Sequence, residues 1–129
     1  MARVGRVPVR LRPLPPDELA LVLGRLEVAR IAGEVDRADI RAAVKHFLAV
    51  LAERAPGKSV EVRVPPYAAV QCIEGARHTR GTPPAVVETD AESWLAMAVG
   101  RATFADLSAA GKVRASGERS DLAPLLPLI

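Results

Sequence analysis

The chain has 129 residues, half of them hydrophobic and 26% charged, which suits one globular domain with a core of its own. Aromatics make up only 3%, so that core must be mostly Ala, Val and Leu, and the net charge of +3 comes from 15 Arg and 3 Lys spread along the chain. With neither a basic stripe nor stacking aromatics, nucleic acid is excluded as a partner. A single cysteine excludes an intrachain disulfide, and no stretch approaches the ~20 apolar residues of a membrane span.

Residues 1–14 set Arg3, Arg6, Arg10 and Arg12 among Val and Leu. They read as an N-terminal arm, extended, disordered or an edge strand, whose basic side chains suit transient contact with an anionic membrane surface. The arm is positive but lacks a continuous apolar run, so it is no signal peptide, and a soluble cytoplasmic protein is expected. Residues 15–129 read as one domain. Pro15, Pro16, Asp17 and Glu18 open a first helix, because proline is tolerated and acids are favoured in a first turn. Leu19, Val22, Leu23 and Leu26 form one face, and Gly33 ends it. Asp36 or Asp39 caps a second helix to about Arg54. Its Ile40, Val44, Phe47, Leu48 and Leu51 recur at helical spacing, and Ala55-Pro56-Gly57 stops it.

The middle is strand-like. Val60, Val62 and Val64 alternate with Glu61 and Arg63, then Pro65-Pro66 interrupts, since proline offers no N–H to a sheet. Residues 67–74 resume the pattern, 75–84 are a loop dense in glycine, proline and charge, and 85–89 are a third strand. The chain is organised around residues 89–117. Thr89 and Asp90 are capping residues, and Trp94, Leu95 and Ala98 make one apolar helix face that ends near Gly100. Thr103 and Asp106 imitate a capping box that restarts the helix, with Phe104 and Leu107 inside. Gly111 closes it, and residues 112–116 alternate as a half-buried strand. Ser120-Asp121 can cap a last short helix over 122–126. The order predicts an α+β, two-layer domain: a mixed or antiparallel sheet of about four to five strands with helices packed on one face.

Asp90, Trp94-Leu95, Gly100, Gly111-Lys112-Val113 and Gly117 resemble the C-terminal half of the sterol-carrier-protein-2 (SCP2-like) family. More narrowly, RVPPYAAVQC, RHTRGTPP, VVETD and SGERSDL, all within residues 60–128, resemble a small bacterial branch of sterol carrier family proteins. The resemblance implies a sheet of about five strands with helices on one face, enclosing an apolar tunnel for a fatty acyl chain, acyl-CoA or sterol-like lipid. It also implies a second role, because such domains serve as accessory parts of bacterial thiol-dependent isomerases and acetyltransferases.

On that basis Val44, Leu48, Leu51, Trp94, Leu95, Ala98, Phe104, Leu107, Leu125 and Leu126 are the candidate lining of an apolar site. The bland alternative is a filled core made of the same side chains. Arg77, His78, Arg80 and Thr82 are candidates for an anionic headgroup or phosphate, because guanidinium forks match such groups. The alternative there is an ion pair of Arg80 with Glu88 or Glu74. Cys72 sits mid-strand, where a buried, inert thiol is the default. His46, His78 and Cys72 have no metal-ligand spacing, and no acid–base pair is complete. The expectation is therefore a non-enzymatic binder or carrier of an apolar small molecule or lipid, with no cofactor and no metal. A partner enzyme or homo-oligomer is the alternative.

Overall fold

The computed structural model describes residues 10–75, 85–117 and 120–129. Helices α2 (Arg37–Arg54), α3 (Ala91–Ala98) and α4 (Phe104–Ala109) start where side chains satisfy orphan N–H groups of a first turn. Helix α1 (Pro16–Ala32) begins with prolines and acids, and ends at Gly33, whose φ of +84° lets its N–H reach back to the Ala29 carbonyl at 2.7 Å. Helix α2 (Arg37–Arg54) is capped by Asp36, whose carboxylate accepts the Ala38 N–H at 2.8 Å. Asp39, the other candidate cap, instead receives a two-pronged ion pair from Arg25 of α1, at 2.8 Å.

Strands β1 (Val60–Val64), β2 (Ala68–Cys72), β3 (Ala85–Thr89) and β4 (Val113–Ser116) form one mixed sheet in the order β2-β1-β3-β4. The Pro65-Pro66 interruption is the turn of the β1–β2 hairpin. β3 then returns on the other side of β1 and parallel to it, and β4 closes the sheet antiparallel to β3. Between them lie α3 (Ala91–Ala98) and α4 (Phe104–Ala109), and the tail adds a short 3-10 turn, η1 (Ala123–Leu125). This is the α+β architecture the sequence predicts, with four strands among the described residues.

Alternation along each strand decides which face is covered. Val60, Val62, Val64, Cys72, Ala85 and Val87 are buried on one face under the helices. The other face carries Glu61, Arg63, Glu88 and Arg114. There Arg63 pairs with Glu61 at 2.6 Å, and Arg114 with the directly opposed Glu88 at 3.0 Å. Such exposed pairs contribute about 0–1 kcal/mol each, so they keep this face wet more than they hold it together. Helix α2 lies over β2 and against α3, and α4 rests on β4. Helix α1 is different: it rests on α2, as a second tier.

One backbone crossing is unusually tight. Gly57 has φ +148°, and a Cβ there would run into the Ile73 carbonyl group. Ile73 itself has φ +63°, rare for a β-branched residue. It is held by its N–H to the Ala55 carbonyl at 2.6 Å, and its own carbonyl accepts the Ser59 N–H at 3.0 Å and Ser59 hydroxyl at 2.6 Å. This knot ties the end of α2 to both β1 and β2. Gly57→Ala is therefore expected to cost roughly 2–3 kcal/mol or more in urea unfolding. Gly33→Ala, with nothing within 4 Å of the added methyl, should cost only about 1 kcal/mol.

Candidate functional site

The predicted apolar lining divides in two. Val44, Leu48, Leu51, Trp94, Ala98 and Phe104 belong to one buried core cluster between the sheet and helices α2, α3 and α4. Trp94 is fully enclosed, and its indole N–H points at the Val44 carbonyl 3.4 Å away. Leu107, Leu125 and Leu126 are half-buried and pack against that cluster. Leu95 packs against the cluster too and also lines an open space, a groove of about 530 Å³ on the outer side of α3.

That groove exists because α1 stands on α2 and leaves a gap over α3. Leu23 and Leu26 of α1, Ile40 of α2, Leu95 and Val99 of the α3 segment, and Ile129 at the chain end supply its apolar walls. Asp90 aims α3: its carboxylate accepts the Ser93 N–H at 2.8 Å and the Ser93 hydroxyl at 2.9 Å. Thr89, the other capping candidate, is buried and donates its hydroxyl to the Lys112 carbonyl at 2.9 Å, stitching β3 to the entry of β4. The tail is fastened by the Leu128 N–H, which donates to the Ala98 carbonyl at 2.8 Å and so brings Ile129 to the groove. The i,i+3 spacing of Leu23 and Leu26 was visible in the sequence, but the meeting of α1, α3 and the tail was not.

Charges sit around these apolar walls. Glu27 and Arg30 of α1 pair at 2.7 Å, and Glu92 and Arg101 also line the groove. The Glu27 carboxyl is held below its ordinary range, first by its hydrogen bond from Arg30, then by that guanidinium's charge, with a smaller contribution from Arg101. A second space of about 340 Å³ lies at the C-terminal ends of the parallel strands β1 and β3, lined by Pro65, Thr89, Asp90, Lys112 and Arg114 among others. Its lining mixes polar and apolar surface, and its acids already have partners: Asp90 on Ser93 and Glu88 on Arg114.

The headgroup candidates Arg77, His78, Arg80 and Thr82 lie outside the described residues. Glu88, one of the partners considered for Arg80, is engaged by Arg114. Cys72 is fully buried on β2, and burial pushes its thiol up to about 11. A nucleophilic thiolate is scarce there at neutral pH. Iodoacetamide should therefore leave Cys72 of the folded protein unlabelled over hours at about pH 8 and label it promptly in urea, as mass spectrometry would show.

Among the described residues no helix is long and apolar enough to cross a membrane. No curated protein matches the chain. A family model described as "Bacterial SCP ortholog" matches residues 36–128, which takes in α2, the whole sheet, α3, α4 and the tail, and leaves α1 outside. On that match, spanning well over half its length, the chain belongs to the bacterial SCP ortholog family.

Proposed function

We propose that the protein is a non-catalytic carrier that holds an apolar ligand, such as a fatty acyl chain, acyl-CoA or sterol-like lipid, in the groove between α1 and α3. The observation that carries this reading is the groove itself, an apolar trough with charged residues beside it in a member of an SCP family. Its volume of about 530 Å³ falls within the ~300–1,000 Å³ of ordinary small-molecule sites. Each methylene buried there is worth about 0.8 kcal/mol, so ten of them gain on the order of 8 kcal/mol before ordering costs. Arg101 and Arg30 stand beside the trough, where a polar end would remain in water. In this reading the core under Trp94 is scaffold, and the ligand lies one tier further out.

A second reading is an accessory or interaction domain, either beside a partner enzyme or as a homo-oligomer. One observation favours it: the outward face of α1 exposes Leu21, Val28 and Ile31 by 63%, 70% and 77%. A helix apolar on both sides is ordinarily covered on both. Transient contact of the same face with a membrane surface belongs to this reading too.

The two separate by mutation. Leu95→Asp is expected to lower affinity for a fluorescent fatty acid by at least about tenfold, or 1.4 kcal/mol, with the circular dichroism unchanged. Leu21→Asp should leave that affinity within about twofold. If it instead halves the mass measured by light scattering, the association reading gains. Protein free of extractable lipid that also binds no fluorescent fatty acid would end the carrier reading.

A further inference from the structure

We propose that His46 is a pH-operated latch: its neutral ring holds the segment leading into α1 against α2, and protonation frees that segment and loosens the entry of the helix that walls the groove. The observation is one hydrogen bond. The backbone N–H of Leu14 donates to Nδ1 of His46 at 2.8 Å, across 32 residues of sequence. An N–H cannot donate to a nitrogen that already carries a proton, so Nδ1 keeps its lone pair and the neutral ring's proton sits on Nε2. Protonating the ring puts a second N–H where the acceptor was. Two donors then face each other, and the bond becomes a repulsion.

Apart from the packing of half-buried Leu11 against the core, the segment has little else to hold it. Pro13, Pro15 and Pro16 have no N–H to give. Among the described residues, the Leu14–His46 bond is the one hydrogen bond from residues 10–14 to the body. Helix α1 follows directly, and its main support is α2. It is tied near its middle by the Arg25–Asp39 ion pair and at its far end by the turn at Gly33. The body of the helix is held by apolar packing, with Val22 buried and Leu19 and Leu23 against the core, whereas its entry is fastened by a titratable ring. Leu23 and Leu26 on this helix are a wall of the groove.

The surroundings of the ring set the direction of the switch. His46 is buried, edge-on to Phe47 with centroids 4.8 Å apart. Burial lowers its pKa, and Glu53, two turns along α2, opposes this in part. Lys45 is its neighbour on α2, the segment brings Arg10 and Arg12, and β2, on which α2 packs, carries no charged side chain. The latched state therefore binds the proton more weakly than the released state. Latching is at full strength above the ordinary histidine value of about 6.5 and weakens as pH falls below it, toward the lowered value of the latched ring. The latch itself rests on geometry alone, whereas its meaning as acid-triggered release rests on the carrier reading.

The test uses the full-length chain and diphenylhexatriene, an apolar probe with no titratable group of its own. In the wild type, the Leu14 amide resonance should shift with the titration of His46. Probe affinity should fall at least about fivefold between about pH 7.5 and 5.5. His46→Asn, whose Oδ1 keeps an acceptor that does not titrate, should hold affinity within about twofold over that range. Leu14→Pro, which removes the donor and leaves the histidine, should bind weakly at both pH values. A Leu14 amide that ignores the His46 titration would overturn the latch, as would a pH profile of His46→Asn matching the wild type. If no variant binds the probe at any pH, the carrier reading fails, and the Leu14 amide still decides the latch.

Discussion

Trp94 is the point at which the two tiers of this molecule are joined. It is the largest side chain in the core, fully enclosed, and its N–H points at the carbonyl of Val44. That places α3 against α2 over the apolar face of the sheet. With only two phenylalanines besides it among the core aromatics, most of the remaining packing is done by Val, Leu and Ala. Once α2 and α3 are joined in this way they cover the sheet, and α1 finds no sheet surface left. It stands on α2 instead, and the step between α1 and α3 becomes the groove.

In the proposed carrier reading the ligand site is displaced outward. A ligand under the helices would have to compete with side chains already close-packed there. Entering the trough between α1 and α3 disturbs neither the sheet nor the core. The family match begins at residue 36, just before α2. The matched segment thus supplies the sheet, one wall and the floor of the groove, while the opposite wall comes from α1.

The polar details serve placement. Asp90 uses both oxygens on Ser93 to start α3, and Thr89 turns inward to fasten β3 to β4. Leu128 and Ala98 pin the tail where Ile129 reaches the groove. Cys72 is both buried and hard to ionise.

Much of the fold was legible in the residues because local rules govern it. Asp36, Gly33 and Asp90 mark helix ends through hydrogen bonds a few residues long, and the alternation of Val60, Val62 and Val64 assigns a buried face by itself. The family resemblance carried by Asp90, Gly100 and Gly111-Lys112-Val113 likewise needs only order along the chain. What the chain order could not say is which of two apolar sets would be enclosed and which left open. Trp94 and Leu95 are neighbours on one helix, yet one fills the core and the other lines the groove. The choice depends on the rotation of α3 against α2 and on where α1 comes to rest. Those are set by contacts between residues dozens of positions apart, Val44 with Trp94 and Leu14 with His46, and such contacts exist only once the chain has folded.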